Sequence, residues 1–340
     1  MKSLRCLLLF SLGIFIQVSY CHSSITTCLP QNHTALFILG DSLFDNGNNN
    51  YINTTTSYQA NYYPYGQTFF KYPSGRFSDG RMIPDIVGGA GALRETAQGF
   101  VIDLKTQVSY LKNLKNVFSK RLGKAIAEEI VSKSVFLISI GSNDYGSLLN
   151  PDSNPVFPPG NHQGFVDSVI GNLTDAITEI YNVGGRKFGF VNVGAIGCSP
   201  GIRVLVNNGS TCFEEVLAIA RLHNTALSER IPELEKQLKG FKYSITDFYS
   251  ASLEVLNNPT KYGFKETIVA CCGGGPYRGD GSCGGRKGIK EYELCNNVDE
   301  HVYFDSIHLT DRASQHFGEL IWNGNHTVTS PYNLKQLFEF

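Results

Sequence analysis

Near its start the chain reads Phe37-Ile38-Leu39-Gly40-Asp41-Ser42-Leu43, where an apolar run meets a glycine, an acid and a serine. The apolar run over 35–39 predicts a short buried β-strand that ends at a turn-forming glycine. Runs of the same kind predict further strands, at 134–140, 187–193 and 243–248.

Helical periodicity fills the sequence between and after these runs. Over 165–183, apolar residues recur every three or four positions, and the pair Gly184-Gly185 ends the pattern. A second helical stretch covers 212–238, and we expect Pro232 to interrupt it. A third covers 310–322 and opens with a threonine cap. Strands that alternate with helices predict an α/β fold, with a mostly parallel sheet covered on both faces.

The composition is typical of a globular protein with a sizeable core. The chain has 340 residues, of which 42% are apolar and 17% are charged, with 29 basic against 30 acidic side chains. A net charge near zero gives no general attraction to nucleic acid. Beyond the N-terminus, no segment is apolar for long enough to span a bilayer. No shift in composition marks a second domain, so residues 22–340 are interpreted as one domain, which we expect to be monomeric.

The N-terminus has the pattern of a secretory signal peptide. Basic residues precede an apolar run over 6–18, and small residues follow it. An uncleaved membrane anchor is the alternative, but the run is short for a membrane span. We therefore expect residues 1–21 to be removed and the mature protein to be exported.

Sequons and cysteines fit export. Five Asn-x-Ser/Thr sequons are candidate glycosylation sites, although such sequons also occur by chance: Asn32, Asn53, Asn172, Asn208 and Asn325. Seven cysteines lie beyond residue 21, and in an oxidising compartment they should mostly form disulfides: Cys28, Cys198, Cys212, Cys271, Cys272, Cys283 and Cys295. A zinc site is the alternative for the last four, but they contain no Cys-x-x-Cys unit.

The spacing of these cysteines suggests their partners. We expect Cys198 to pair with Cys212 across a polar loop. The four cysteines between 271 and 295 should form two further bridges that staple a glycine-rich segment with little core of its own. Because seven is odd, at least one thiol stays unpaired within the chain, and Cys28 is our candidate.

Polar residues at two predicted strand ends suggest a catalytic site, since chemistry in parallel sheets collects at the carboxyl ends of the strands. Ser42 follows one strand, and a serine hydroxyl needs a nearby base before it becomes a good nucleophile. His308 is our candidate base, because Asp305 lies three residues earlier and can turn back to orient the imidazole. Taken alone, the segment around Ser42 is better explained as a plain strand-to-helix cap.

Asn143 follows the predicted strand 134–140. Its amide can donate a hydrogen bond to a developing oxyanion, beside backbone N–H groups at the Ser42 turn. Capping of the next helix is an equally good explanation of an asparagine at this position.

Together these segments resemble the plant GDSL esterase/lipase family, within the SGNH hydrolases. The matching segments are 37–51, 75–85, 141–145, 194–200, 271–273 and 304–310, and the resemblance runs from about residue 35 to the C-terminus. It implies a three-layer α/β/α sandwich with a flavodoxin-like sheet order. It also implies a secreted hydrolase of the apoplast or cell wall that acts on lipid-like esters without a metal or cofactor.

The resemblance assigns a role to individual residues. Ser42 corresponds to the family's nucleophile, and Asp305 and His308 correspond to the other members of its triad. The oxyanion donors correspond to the backbone N–H groups of Ser42 and Gly88 and the side chain of Asn143.

One segment departs from the family pattern. The family normally continues after the helix near residue 85 through an extended loop and a strand, which lead to an Ala-Ser-Gly-Gly-Ala-Gly turn. Here Ile86 runs directly into Val87-Gly88-Gly89-Ala90-Gly91, and Val87 stands where a serine is usual. This pattern indicates a deletion, and Gly88 is the assignment that depends on it most.

Three functions remain open from the sequence. The first is hydrolysis of lipid-like acyl esters, and the second is deacetylation of a cell-wall polysaccharide or small metabolite by the same triad. The third is a secreted binding or signalling form whose site is incomplete because of the deletion.

Overall fold

The computed structural model describes residues 35–83, 91–93, 95–96, 100–149, 161–205, 211–281, 283 and 291–340. Its strands are β1 (Leu36–Gly40), β2 (Val135–Ser139), β3 (Lys187–Val191), β4 (Lys242–Thr246), β5 (Cys272–Gly273), β6 (Glu293–Leu294) and β7 (Thr329–Ser330). The four strands predicted from apolar runs are confirmed, with ends that differ by at most two residues.

The described helices lie between and after these strands. They are α1 (Leu104–Leu122), α2 (Lys124–Lys133), α3 (Ser142–Ser147), α4 (His162–Val183), α5 (Pro200–Arg203), α6 (Glu214–Gln237), α7 (Phe248–Asn257), α8 (Asp311–Asn323) and α9 (Leu334–Glu339). The three predicted helices correspond to α4, α6 and α8, and Thr310 caps α8 by accepting from the Ala313 N–H.

The prediction that Pro232 interrupts its helix is wrong, since α6 runs through it as one element. An internal proline costs a helix about 3 kcal/mol or more. Here Leu227, Ile231 and Leu234 bury the same face on both sides of the proline. This continuous burial offsets the cost and keeps the helix in one piece.

The sheet is covered on both faces, as expected for a three-layer α/β/α sandwich. Alternate strand residues point to opposite sides. Phe37 and Leu39 join a core with buried residues of α1, α4 and α6. Ile38 of the same strand joins a second core with buried residues of α7, α8 and α9.

The order of the described main sheet is β1-β2-β3-β4-β7. The first four strands are parallel, and β7 pairs antiparallel to β4. A flavodoxin-like sheet has the order 2-1-3-4-5. Without its second strand, such a sheet has its first strand at the edge, and this is where β1 lies among the described residues.

A side chain of α1 satisfies the backbone at the end of β1. The Gly40 N–H donates to Gln107 Oε1 at 3.0 Å, and Gln107 Nε2 donates to the Gly40 C=O at 2.9 Å. The carboxamide of Gln107 is buried and presents a donor and an acceptor together, as a peptide group of a neighbouring strand would.

Three disulfides confirm the predicted pairing. Cys198 bonds to Cys212, and the second group forms the bridges Cys271–Cys295 and Cys272–Cys283. Cys28 lies outside the described residues. The two later bridges hold the ribbon β5–β6, and together with Tyr65, Phe77 and Phe304 their cysteines form a separate small core.

Candidate active site

Ser42 lies at the carboxyl end of β1, in a turn fixed by the adjacent strand. The Asp41 N–H donates to the Ser139 C=O of β2 at 3.1 Å, and the Asp41 side chain accepts from the Leu43 N–H at 3.1 Å. A side chain at Gly40 would have its Cβ 2.1 Å from the Ser139 oxygen. Only glycine therefore allows β1 to approach β2 this closely just before the serine.

The structure brings Ser42, His308 and Asp305 together, although they are far apart in the chain. Ser42 Oγ lies 2.8 Å from His308 Nε2. On the other side of the imidazole, Nδ1 lies 2.8 Å and 2.9 Å from the two carboxylate oxygens of Asp305. In this order of groups, the imidazole can take the proton from the serine hydroxyl during nucleophilic attack, and the carboxylate can stabilise the charge that the imidazole gains.

The turn over 305–308 holds the carboxylate of Asp305 in place. Oδ1 accepts from the backbone N–H groups of Ile307 at 3.0 Å and His308 at 2.8 Å. Burial acts to raise the pKa of Asp305, but the charge and hydrogen bonds of His308 outweigh it, and the pKa lies below its ordinary value. Asp305 is therefore a carboxylate that can stabilise a protonated imidazole.

Other elements hold this turn from outside. The Gly201 N–H of α5 donates to the Ser306 C=O at 2.7 Å, and α5 begins two residues after the cysteine of the Cys198–Cys212 bridge. The ring of Phe77 stacks on the imidazole of His308, with centroids 4.6 Å apart. Phe77 therefore covers one face of the imidazole and limits its rotation.

Asn143 is the second residue of α3 and lines the same cleft as Ser42 and His308. The next residue, Asp144, is fully buried. Its carboxylate accepts from the N–H groups of Ala92 at 2.9 Å and Leu93 at 3.0 Å, and from the Thr96 hydroxyl at 2.6 Å. Asp144 thus ties α3 to the segment that follows Gly88 in the chain, while Gly88 itself lies outside the described residues.

Asp41, directly before Ser42, is a second buried carboxyl in the site, 2% exposed. Burial raises its pKa to about 7. The hydrogen bond from the Leu43 N–H lowers the pKa, whereas the negative charge of Asp144 raises it. The other groups that face its carboxyl are Asp144 and His308, which act through their charge, and the Ser142 hydroxyl, which acts through a hydrogen bond. Near neutral pH a large fraction of Asp41 is therefore protonated.

Ser42 opens into a cleft with about 930 Å³ of space, its mouth included. Polar groups lie near the serine, whereas the remaining walls are mostly apolar side chains from 196–202, α7, 302–309 and α8: Ile196, Ile202, Phe248, Leu256, Val302 and Phe317. A cleft of this composition suits an apolar group attached to a polar reacting centre.

Other predicted sites are distributed over the surface. The sequon residues Asn53, Asn172 and Asn325 are exposed, and Asn32 and Asn208 lie outside the described residues.

His223 has a structural partner, with Nδ1 2.7 Å from the Tyr145 hydroxyl, and burial lowers its pKa to about 3. Within the described residues, no three His, Cys, Asp or Glu side chains form a metal-binding group, and no helix is long and apolar enough to cross a membrane.

Sequence reasoning missed the support around the site, above all Tyr65 and Asp144. Tyr65 contacts Asp305 across 240 positions of the chain, and no periodicity or spacing within one sequence reports such a contact. Asp144 lies in the segment Gly141-Ser142-Asn143-Asp144 that follows β2. Its position beside Asn143 was the available signal, but it could not identify which backbone the carboxylate binds.

A family model for GDSL-like lipases/acylhydrolases matches residues 36–321, so the chain belongs to that family. It is a carboxylic ester hydrolase by this membership.

The similar relatives are plant proteins. GDSL esterase/lipase 2 of Arabidopsis thaliana is 42% identical over 351 residues, covering 94% of this chain and 93% of the relative. A GDSL lipase of Tanacetum cinerariifolium is 44% identical over 357 residues, covering 96% and 94%. An inactive GDSL esterase/lipase-like protein 25 of A. thaliana is 31% identical, covering 89% and 74%.

The first two alignments are longer than the 340-residue chain. These relatives therefore carry residues that have no counterpart here, which fits the predicted deletion. The predicted position of the deletion, after Ile86, lies outside the described residues.

Proposed function

We propose that the chain is a secreted serine esterase or lipase, with Ser42 as nucleophile, His308 as general base and acid, and Asp305 as the carboxylate that orients His308. One observation carries the proposal. Two consecutive hydrogen bonds connect the Ser42 hydroxyl through both nitrogens of His308 to the carboxylate of Asp305.

The reaction follows from this order of groups. Ser42 Oγ attacks the ester carbonyl carbon while its proton passes to His308 Nε2. The tetrahedral intermediate then expels the alcohol, which takes the proton from Nε2 and leaves the acyl group on Ser42. Water attacks this acyl-enzyme with the same help from His308, which releases the carboxylic acid and restores the serine.

The oxyanion of each intermediate needs donors. In our proposal they are the backbone N–H groups of Ser42 and Gly88 and the side-chain amide of Asn143. Support for Asn143 is its position in the wall of the cleft that holds Ser42. Loss of one such donor lowers turnover by roughly 10²–10³.

The apolar walls of the cleft favour lipid-like acyl esters over acetyl esters. An acyl chain bound to Ser42 would leave water and contact the side chains of α7 and α8 that line the cleft. Turnover measured over a series of acyl lengths tests this choice. A preference for acetyl esters would instead support deacetylation.

The nucleophile is tested with a fluorophosphonate probe and with ester turnover. Ser42→Ala should abolish both labelling and turnover. His308→Ala should reduce turnover by a similar factor, because an unactivated serine reacts poorly. Ser250→Ala changes an exposed serine of α7 and is the matched control. Turnover of Ser42→Ala within tenfold of the parent would refute the assignment.

Export is part of the same proposal. We propose cleavage after residue 21, glycans at the five sequons and residence in the apoplast or cell wall. The exposure of Asn53, Asn172 and Asn325 supports the glycan sites. N-terminal sequencing of secreted protein, and mass spectrometry before and after glycosidase treatment, test cleavage and glycosylation separately.

A second candidate is a catalytically impaired binding form. The predicted deletion favours it, because the lost segment leads to Gly88. Wild-type protein that is folded and secreted, but does not react with the probe, would select this candidate.

A further inference from the structure

Tyr65 lies behind Asp305, in the segment between β1 and α1. Its side chain is fully buried. The ring meets Phe77 and Phe304 edge to face, with centroids 5.7 Å and 5.4 Å apart. These contacts fix the direction of the phenol group, which points at Asp305.

The hydroxyl of Tyr65 donates to Asp305 Oδ2 at 2.7 Å. Burial and the charge of Asp305 raise the pKa of Tyr65 well above its ordinary value, so the phenol keeps its proton and acts as a donor. The donors to Oδ1 all belong to the turn over 305–308. The Tyr65 bond is different, because it connects the carboxylate to a distant part of the chain.

A disulfide-bonded segment supports the same hydroxyl. The Cys283 N–H donates to the Tyr65 oxygen at 3.4 Å, and Cys283 is bonded to Cys272. The Cys272 N–H donates in turn to the C=O of Phe304, directly before Asp305, at 2.7 Å. The two cysteines of one bridge are therefore connected to Asp305 by two routes, one through the Tyr65 hydroxyl and the other through the backbone of Phe304.

We propose that Tyr65 is a positioning residue for the triad acid: its hydroxyl fixes the carboxylate of Asp305, and the Cys272–Cys283 bridge fixes that hydroxyl. This inference rests on the proposed function, since it gives Tyr65 a purpose only if His308 acts as the base. It assigns the cysteine-rich ribbon a part in orienting the catalytic acid, beyond stapling a glycine-rich segment.

The physical effect of the hydroxyl has two parts. It restricts rotation of the carboxylate, and so keeps Oδ1 and Oδ2 aimed at His308 Nδ1. It also takes up part of the negative charge, as a donor to a carboxylate does. Without it, the carboxylate would hold an imidazolium more strongly but in a less defined orientation.

Tyr65→Phe tests the proposal with little change in shape. We expect kcat to fall about tenfold, with KM nearly unchanged, because a less well fixed carboxylate orients the imidazole less precisely in the transition state. The acid limb of the kcat/KM profile should move to higher pH. Tyr63→Phe is the matched control, since it removes a hydroxyl that bonds to Gln67 on the exposed side of the same segment.

The bridge is tested in a cycle with the same substitution. Cys272→Ser with Cys283→Ser should lower kcat in the parent, and should lower it less when Tyr65→Phe is already present, since both changes act on one carboxylate. If the cysteine variant is not secreted, the Tyr65→Phe comparison decides alone.

The outcomes separate the two proposals. A wild type that reacts with the fluorophosphonate at Ser42, together with a Tyr65→Phe variant of unchanged kcat and pH profile, overturns the role of Tyr65 and leaves the triad standing. A lower melting temperature with unchanged kinetics also overturns it, since that result reveals a structural role only. A wild type whose Ser42 does not react overturns both.

Discussion

The two sides of the cleft are held by different kinds of interaction. On the His308 side, disulfides and aromatic rings surround the turn over 305–308. On the Ser42 side, β1 lies at the edge of the described sheet and is supported by uncharged amides and buried carboxyls, chiefly Gln107, Asp41 and Asp144.

This difference decides how each side can fail. The stability that covalent bridges and stacked rings supply depends little on pH or on any single hydrogen bond. A buried polar network is stable only while each of its members has a partner. We therefore expect the stability of the Ser42 side to depend on pH and on the predicted deletion. The stability of the His308 side should depend on whether its disulfides are reduced.

The largest effect should come from restoring the segment that the family carries after Ile86. A restored strand would pair with the edge of β1 and would bury apolar side chains of its own. We expect the free energy of unfolding to rise by several kcal/mol, against a usual total of about 5–15 kcal/mol. If Gly88 is better placed, turnover should rise by up to roughly 10²–10³. Yield, thermal unfolding and ester turnover of the two forms are to be compared side by side.

Equal stability and turnover in that comparison would show that the short connection already places Gly88 adequately. The weakness that we assign to the Ser42 side would then be absent.

Asp144→Ala should have the next largest effect. It leaves two buried N–H groups and a hydroxyl without their acceptor, which should lower the free energy of unfolding by about 2–5 kcal/mol. Turnover should fall as well, because the segment after Gly88 loses its attachment to α3. Chemical denaturation and kcat are the measurements, and Asp167→Ala, at an exposed acid of α4, is the control. A loss of stability no greater than in the control would contradict this role.

Asp41→Asn should change how stability depends on pH. The folded-state pKa is about 7, against an ordinary value of 3.8. This group therefore stabilises the folded protein below about pH 4, and its contribution is lost as the pH rises through 7. The variant minus parent difference in unfolding free energy should rise over that range by about 1.4 kcal/mol per pH unit at most. Denaturation at several pH values measures it, and a flat difference would show that Asp41 is ionised throughout.

Gln107→Ala should have the smallest effect of the four. It leaves the N–H and C=O of Gly40 without their partner, so the free energy of unfolding should fall by about 1–2 kcal/mol. Gln163→Ala, at an exposed glutamine of α4, is the matched control. If the two variants unfold at the same denaturant concentration, Gln107 does not support β1.

The sequence predicted the parts of this molecule that depend on local pattern. Apolar runs located β1 to β4, and the spacing of Asp305 and His308 indicated a turn that the structure contains. It did not predict Tyr65 or Gln107, because their contacts span 240 and 67 residues and depend on how elements pack. It failed at Pro232 because a local rule cannot weigh the burial that a long helix gains on either side.

The carboxamide of Gln107 has a consequence for how the protein meets other copies of itself. A strand with unpaired backbone groups is a template on which another chain can add, and proteins usually block such strands. At Gly40 the groups that an incoming strand would need are already occupied by a side chain of the same molecule. This occupancy disfavours addition of a strand from another copy at the point where the Ser42 turn begins.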